Sequence, residues 1–378
     1  MKKISLIAGA VALAFSAASQ AADVEMYGLI DLGLSYVHSN PDVAGLDSTN
    51  KLTMENAREF GSRWGIRGKE DLGNGYKVGF TLESGFKADS GELDQGGDLF
   101  GREAHVDLYS PYGTLTFGVM PVFGSTLGAN GLFRAIDPLF ANYTEAFGSG
   151  LISASSWTRV DNAVSYVTPT WNGLTGYAQY SFKNDSRVTG GDEGRGGSAD
   201  RYASLAVRYQ AGAVEGIVVA DTTMYGTYRP EKDLDDGYTV TVGGNYTFDS
   251  GLKLLAFYQY FSDMDLNEKA GRAGVGLTGI TELAGGYGFV SGWGASLGAN
   301  YPLFGGVIKG QIGYRSMDNQ DDTDFTRWIA AAGYDYPLSK RTAVYVMTGY
   351  SQEKVEVKNG VEGTPSGYEF TFGMVHRF

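Results

Sequence analysis

Histidine and cysteine, which supply many catalytic bases and nucleophiles, are scarce in this chain of 378 residues. There is no cysteine, which removes thiol nucleophiles, disulfide scaffolds and cysteine-ligated zinc, and suits a compartment where thiols would oxidise. The histidines are His38, His105 and His376, and they lie in three separate parts of the sequence. Because a nucleophile needs a base held beside it, the sequence favours a protein that works without covalent catalysis.

Arginine side chains offer a different chemistry, because rings of charge along a water-filled passage select solutes by their charge. Trp64 and Ile66 share one parity of an extended strand, which turns Arg63 and Arg67 to the opposite face. The apolar side chains that follow Arg159 leave it on the polar face of its own strand in the same way. These three arginines are candidates for a basic wall.

Arg102 is a fourth candidate, although strand parity does not support it. It shares the parity of the apolar residues Ala104, Val106 and Leu108. Either this strand meets a neighbouring subunit through a polar face, or a bulge changes its register.

The composition restricts the fold class and the partners. The chain has 56 glycines and 13% aromatic residues, which suit twisted sheets and turns better than a helical bundle. Its 43% hydrophobic content argues against disorder. The formal net charge of −13 is opposite in sign to a nucleic-acid-binding surface. We therefore expect a folded β protein without a DNA or RNA partner.

The first 21 residues have the pattern of a secretory signal peptide. Lys2 and Lys3 form a basic start, a short apolar run follows, and Ser19 and Ala21 fit the small residues of a cleavage site. The apolar run is too short for a typical membrane-spanning helix, although an N-terminal anchor is the alternative. We expect cleavage after Ala21, which leaves residues 22–378 as one domain.

The remaining sequence alternates with a period of two. From Tyr238 to Phe248, aromatic, aliphatic and glycine residues alternate with threonine, glycine and asparagine over the length of a membrane-crossing strand. No later window has the run of apolar residues that a membrane-spanning helix needs. A soluble sandwich would show the same alternation, so the connections between strands must decide.

Short turns alternate with long polar connections along the chain. The turns lie at residues 71–75, 110–113, 170–173, 249–251 and 304–306. The long connections lie at residues 40–56, 88–98, 183–200, 228–236, 267–285 and 358–366. Short turns at one rim and long loops at the other are typical of outer-membrane barrels. The spacing predicts a transmembrane antiparallel β-barrel of about sixteen strands, which is wide enough to enclose water.

Three segments then resemble one family in the order and spacing of its strands. Residues 24–31, 62–75 and 159–166 are similar to the first strand, the second strand with its turn, and the sixth strand of Gram-negative general porins. The resemblance extends over essentially the whole mature chain. It implies a homotrimeric, non-enzymatic diffusion channel for ions and small hydrophilic solutes in the outer membrane.

The resemblance also implies where the channel narrows. In general porins the third outer loop folds into the barrel, and residues 121–157 occupy that place. Asp137 and Glu145 would form its acidic side, opposite eyelet arginines that match Arg63, Arg102 and Arg159. Where many members carry a basic residue after the fifth strand, this chain has Val119 and Met120, so the basic ladder is incomplete.

The C-terminal residue is a further feature of the resemblance. In this family a terminal phenylalanine on an alternating strand is read by the outer-membrane assembly machinery, which implies that role for Phe378. The outer membrane also implies contact with lipopolysaccharide.

Other interpretations stay open at this point. A pore dedicated to phosphate, another anion or a carbohydrate is the main alternative, and an outer-membrane hydrolase or an adhesin is further from the pattern. No cofactor is expected. Loop Ca²⁺ or Mg²⁺ is conceivable at a cluster of carboxylates that lacks the ligand spacing of an EF-hand, namely Asp321, Asp322 and Asp324.

Overall fold

The computed structural model describes residues 23–140, 143–154, 158–231, 234–266, 274–358 and 360–378. The predicted signal peptide, residues 1–21, lies outside the described residues.

The described chain forms one antiparallel sheet of sixteen strands that closes on itself. Each strand pairs with the next along the sequence, and the first strand pairs with the last, with Leu34 opposite Phe372. This confirms the predicted barrel. The strands are β1 (Asp23–Asn40), β2 (Thr49–Asn56 and Arg63–Gly73), β3 (Tyr76–Gly85), β4 (Glu103–Ser110), β5 (Gly113–Pro121), β6 (Arg159–Val167), β7 (Leu174–Ser181), β8 (Arg201–Ala211), β9 (Val214–Met224), β10 (Gly237–Thr247), β11 (Lys253–Asp265), β12 (Phe289–Leu303), β13 (Gly306–Asn319), β14 (Thr323–Pro337), β15 (Thr342–Val357) and β16 (Glu362–Gly363 and Ser366–Arg377).

Strand β2 is interrupted, although both of its segments pair with β1. The break begins at Ala57, whose φ of 63° takes the backbone out of the extended conformation. The Asp31 carboxylate on β1 then accepts hydrogen bonds from the backbone N–H groups of Glu59, at 3.0 Å, and Phe60, at 2.6 Å. A buried side chain thus takes the place of the missing ladder bonds.

The five predicted short turns all connect consecutive strands at one rim of the barrel. At the opposite rim, three predicted loops contain a strand segment or an α-helix, and one of these is the stretch 358–366 with the segment Glu362–Gly363. The stretch 40–56 includes the strand segment Thr49–Asn56, because that segment pairs with the upper part of β1. The stretch 267–285 includes the helix α1, Leu277–Ala284. Short 3-10 turns occur at Gln95–Gly97, Leu132–Ala135 and Ser149–Leu151.

The alternation places apolar side chains on the outside of the sheet. On β10, Tyr238, Val240 and Val242 are exposed, whereas Thr239 and Thr241 are buried. Strand β16 repeats the pattern. No helix within the described ranges is long and apolar enough to cross a membrane.

A charged residue substituted into the apolar outer face of the barrel tests whether this face contacts hydrocarbon. Leu297 is 60% exposed and lies midway between the outward aromatic residues Trp293 and Tyr301 of β12, as a midplane residue would. We expect Leu297→Arg to lower the free energy of unfolding in lipid vesicles by about 2–4 kcal/mol, because the guanidinium must enter hydrocarbon. Leu297→Phe is the apolar control, and equal urea-unfolding curves for both variants would contradict an outer face in lipid.

Candidate functional site

The long connection between β5 and β6 is packed against the sheet. Ala135 O accepts a hydrogen bond from Asn245 Nδ2 at 2.8 Å, and Ala154 N donates to Gln259 Oε1 at 2.7 Å. Ser149 Oγ accepts from Gln311 Nε2 at 2.9 Å. The three wall residues come from β10, β11 and β13, and all have the parity opposite to the exposed apolar side chains. The loop therefore lies against the polar face of the sheet.

Glycines on that face leave room for the loop. A Cβ at Gly294 would lie 1.8 Å from the Ile152 carbonyl oxygen, and one at Gly349 would lie 2.5 Å from the Phe147 ring. A larger residue at either position would displace the loop backbone or the Phe147 ring.

Apolar side chains add to the packing of the loop. Most of them bury against β7, β8, β9, β11 and β14, whereas Leu139 and Phe147 in the middle of the segment bury against β1, β15 and β16. Each buried side chain contributes roughly 1.5–3 kcal/mol. The loop members are Phe123, Leu132, Phe133, Ile136, Ile152, Leu139 and Phe147, and their main partners are Tyr177, Ile217, Val219, Phe257, Ile329, Tyr345 and Met347.

Glu369, on β16, holds the middle of the loop. Its buried carboxylate accepts hydrogen bonds from the backbone N–H groups of Glu145, at 2.5 Å, and Ala146, at 3.3 Å. Ser35 Oγ on β1 donates to the same carboxylate at 2.8 Å, and Arg58 Nε lies 3.6 Å from it. One side chain thus joins β1, the break in β2, the closing strand and the loop.

The side chain of Glu145, one of the predicted acidic residues, lies beside Arg58, which also adjoins Glu369. Its Oε1 lies 3.4 Å from Arg58 Nη2 and 3.6 Å from Lys51 Nζ. Arg58 also donates to the Tyr143 carbonyl oxygen. The carboxylate of Glu145 thus lies beside two cations, which it shares with Glu55.

Asp137, the other predicted acidic residue, is buried within the loop. Ser149 Oγ donates to its Oδ1 at 3.1 Å, and the Leu139 N–H lies 3.4 Å from the same oxygen. Burial raises the pKa of the Asp137 carboxyl, and the hydrogen bond from Ser149 acts against that shift. The side chain ties two parts of the loop together.

Three of the four predicted arginines come together around one carboxylate. Arg102 Nε lies 2.6 Å from Glu83 Oε1, and Arg63 Nε lies 3.5 Å from Glu83 Oε2. Arg159 Nε donates to the Arg102 carbonyl oxygen at 2.9 Å. Tyr27 Oη donates to Glu83 at 2.9 Å. We call Arg63, Arg102, Arg159 and Glu83 the arginine cluster.

Arg102 joins this cluster because the strand begins one residue after it. Strand β4 starts at Glu103, and the exposed residues Val106 and Leu108 show that its outer face is apolar. This excludes the expectation of a polar outward face that meets a neighbouring subunit. Since Arg102 precedes the strand, its side chain can turn inward to Glu83.

Arg67 lies apart from the cluster, closer to the rim of short turns. It pairs with Glu25, and its Cζ lies 4.9 Å from the centre of the Tyr27 ring. Lys69 follows on the same face, with Nζ 3.8 Å from the centre of the Tyr109 ring. Basic side chains thus continue down β2 from the arginine cluster.

Comparisons with known proteins identify the family. The family model for Gram-negative porins matches residues 8–355. The chain belongs to the Gram-negative porin family. An outer membrane porin protein of Bordetella pertussis is 31% identical over 400 residues, with all of both chains covered. Outer membrane porin protein 32 of Delftia acidovorans is 30% identical, covering 94% of this chain and 90% of the relative.

Solved structures agree with this family. An anion-selective porin from Comamonas acidovorans has a TM-score of 0.68 and 25% identity, covering 94% of this chain and all of that porin. The protein is thus an outer-membrane porin of a Gram-negative bacterium, a water-filled channel for passive diffusion of ions and small hydrophilic solutes. The comparisons do not favour the alternative of a pore dedicated to one solute.

Several structurally central residues of this porin were not predicted. Glu369 stands at inward parity between the outward residues Tyr368 and Phe370, and Glu83 has the parity opposite to the apolar Val78, Phe80 and Leu82. The alternation already contained this signal. Arg315, Arg327 and Glu353 form a second buried ionic group, with Glu353 Oε1 2.5 Å from Arg315 Nη2 and Oε2 2.7 Å from Arg327 Nη2.

Of the carboxylates predicted as a weak metal site, Asp322 pairs with Lys358. Among the described residues, no group of three or more metal-ligating side chains is close enough to hold an ion.

The C-terminal residue closes the barrel through its backbone. The Phe378 backbone pairs with Gly28 on β1, with N to O distances of 3.0 and 3.1 Å.

Removal of the Glu369 carboxylate tests its hold on the loop. We expect Glu369→Ala to destabilise the folded porin by about 1–3 kcal/mol for each buried donor left without an acceptor. The open-channel current should become noisier, because the Glu145 segment loses its hydrogen-bond acceptor. Urea unfolding in detergent and single-channel recording measure the two effects.

Glu362→Ala is the control, because Glu362 is an exposed glutamate at the start of the same strand. If both variants show the same stability and the same current noise, Glu369 does not position the loop.

Proposed function

We propose that the β5–β6 loop narrows the water-filled lumen and that the arginine cluster makes this passage favour anions. The observation that carries the proposal is the balance of charge, since Arg63 and Arg102 share the single carboxylate of Glu83 and Arg159 lies beside them, bonded to the Arg102 carbonyl oxygen. Within the described chain, no carboxylate lies within ion-pair distance of Arg159. A narrow passage lined by such groups lowers the energy of an anion.

The neighbouring carboxylates on β4 offset only part of this charge, because a protonated His105 would cancel one of their two negative charges. Glu103 and Asp107 hold His105 between them, with Nε2 to Glu103 at 3.1 Å and Nδ1 to Asp107 at 3.3 Å. The similar Comamonas acidovorans porin is anion-selective, which supports the same preference for this chain.

The acidic net charge of −13 attracts cations and so opposes the proposed preference for anions, but only over distances at which salt screens it. Charges that are exposed to solvent are screened beyond about 8–10 Å at physiological ionic strength. Exposed pairs such as Arg195 with Asp192 on the outer loops therefore act weakly on an ion inside the barrel. The charges that line the proposed narrowing of the lumen therefore decide whether the channel prefers anions or cations.

Charge reversal at Arg159 tests the assignment. A unit charge about 8 Å from an ion in water contributes about 0.5 kcal/mol, so reversal changes the energy by about 1 kcal/mol. Because the energy of an anion rises and that of a cation falls by this amount, we expect Arg159→Glu to lower the anion-to-cation permeability ratio about thirty-fold, measured as the reversal potential in a KCl gradient across a planar bilayer. Arg63→Glu should shift the ratio in the same direction.

Arg341→Glu is the matched control, because Arg341 is an exposed arginine in the turn between β14 and β15. A wild-type channel that prefers cations would contradict the proposal, as would equal reversal potentials for the Arg159 variant and the control.

We also propose that the protein is a homotrimer and not an enzyme. The relatives are porins, and one solved structure with this fold, OmpT of Vibrio cholerae, is a trimer form. At 15% identity and a TM-score of 0.64, that likeness concerns the fold alone. Conductance steps grouped in threes and a trimer mass by ultracentrifugation in detergent would support the assembly.

Two proposals concern the ends of the chain. We propose that the signal peptide is removed after Ala21, which N-terminal sequencing of the outer-membrane protein checks. We also propose that Phe378 is read by the assembly machinery. Its side chain is 46% exposed, so it remains open to a partner.

Deletion of Phe378 should therefore reduce the amount of folded porin in the outer membrane while the purified chain still folds in detergent. Equal outer-membrane levels for the deletion and the wild type would contradict this role. Phe304→Ala is the control, since Phe304 is an exposed phenylalanine in a turn at the same rim.

A further inference from the structure

The break in β2 contains more chain than the gap that it has to cross. Asn56 lies opposite Leu32 of β1, and Arg63 lies opposite Leu29. Two residues of β1 therefore separate the paired segments, whereas β2 uses the six residues 57–62 to pass them. Because the extra residues cannot remain in the ladder, they leave the plane of the sheet. We call residues 57–62 the β2 bulge.

The β2 bulge turns toward the interior of the barrel. The centre of the Phe60 ring lies 6.0 Å from that of Phe140 in the β5–β6 loop. Arg58 donates a hydrogen bond to the Tyr143 carbonyl oxygen of the same loop. Arg58 and Glu59 are each only 4% exposed. Since the loop lies against the inner face of the sheet, the bulge fills space inside the barrel.

Glu59 of the β2 bulge reaches a distant strand. Its Oε1 lies 3.1 Å from Nζ of Lys309 on β13, although β1, β16, β15 and β14 separate β2 from β13 in the sheet. Adjacent strands lie about 4.8 Å apart, so these five steps measure about 24 Å along the wall. The contact therefore passes through the interior and not along the sheet. We call Glu59 and Lys309 the cross-barrel pair.

The wall end of the cross-barrel pair is fixed by other contacts. Lys309 Nζ also pairs with Asp335 on β14 and donates to the Leu139 carbonyl oxygen of the loop at 3.5 Å. Lys309 is 8% exposed, so the ammonium group is buried among these partners. Removal of a buried partner usually leaves an uncompensated charge. Here Lys309 keeps Asp335, so loss of Glu59 detaches the bulge from β13 without that cost.

The β2 bulge separates two parts of the interior. On one side, Leu139 and Phe147 of the loop bury against β1, β15 and β16, which fills that part. On the other side, Gly61 adjoins the arginine cluster, since a Cβ there would lie 2.6 Å from Arg102 Nη1. The bulge thus forms a border of the space in front of the arginine cluster.

We propose that the β2 bulge, held at β13 by the cross-barrel pair, is a second narrowing element that sets the size limit of the channel. The inference rests on the proposed narrowing of the lumen by the loop and adds an element built from a barrel strand. Pore width selects solutes by size, whether or not they carry charge. Glu59 is a positioning residue in this arrangement, because it holds the bulge in place through Lys309.

The experiment measures the swelling of proteoliposomes in arabinose and in the larger sugar raffinose, because neutral sugars report the width of the channel. We expect Glu59→Ala to raise the raffinose-to-arabinose ratio of swelling rates about two-fold or more, since the bulge loses its hold on β13. Glu59→Gln keeps an acceptor of the same length and should retain most of the exclusion. Glu59→Asp, which is one methylene shorter, should lie between wild type and Glu59→Ala.

Glu215→Ala is the matched control. Glu215 is also an inward-facing glutamate, but it pairs with Arg208 on the adjacent strand β8, with Oε1 2.5 Å from Nη2. Its loss should leave the sugar ratio unchanged. Each variant is first checked for its folded form by circular dichroism. If Glu59→Ala does not fold, Glu59→Asp is compared with wild type and the control in its place.

The outcomes separate this inference from the proposed function. If Glu59→Ala and wild type show the same sugar ratio while Arg159→Glu still shifts the reversal potential, the anion preference stands and the size-limiting role of the β2 bulge is wrong. If the ratio rises in Glu59→Ala while the wild-type channel prefers cations, the size-limiting role stands and the proposed function is wrong. If Glu215→Ala raises the ratio as much as Glu59→Ala, loss of any inward carboxylate widens the channel, which also overturns the role.

Discussion

The structure depends on closure of the hydrogen-bond ladder. In contact with hydrocarbon, every backbone N–H and C=O group must be paired within the protein, and a sheet meets that requirement only when its edges join. Here β1 and β16 join over twelve residue pairs, from Leu29 opposite Arg377 to Asn40 opposite Ser366. Closure fixes the register of every strand, and the register fixes which side chains face outward. The apolar outer face and the polar inner face are consequences of this one constraint.

The inner face then has to satisfy its own buried polar groups. Asp31 accepts backbone N–H groups at the break in β2, and Glu369 accepts those at the middle of the loop. Gln259 supplies an acceptor to Ala154. An unsatisfied buried donor costs about 1–3 kcal/mol, so these contacts are specific anchors as well as sources of stability. The loop is held at several places along its length by side chains that the strand alternation turns inward.

The period of two explains which residues the sequence could predict. Arg63 was predicted because Trp64 sets the opposite parity beside it. The same argument named Arg159, but its neighbour Val160 is buried instead of facing outward. The positive φ of Asn162 interrupts the alternation of that strand. Arg102 failed that test because it precedes its strand, where parity has no meaning. The loop has no period, so the sequence could name Asp137 and Glu145 as acidic residues but not their partners. Ser149 and Arg58 become neighbours of these carboxylates only when the loop folds against the sheet.

The proposed basic passage is compatible with the acidic composition of the protein because the charges lie in different places. Several charged residues of the outer loops form pairs, such as Arg187 with Asp185, and an exposed pair contributes little field beyond its own surroundings. At the arginine cluster, Arg63 and Arg102 share Glu83, whereas no carboxylate of the described residues lies within ion-pair distance of Arg159. The selectivity of a channel follows from the charges that remain unmatched where its passage is narrow, so the proposed preference for anions depends on Arg159.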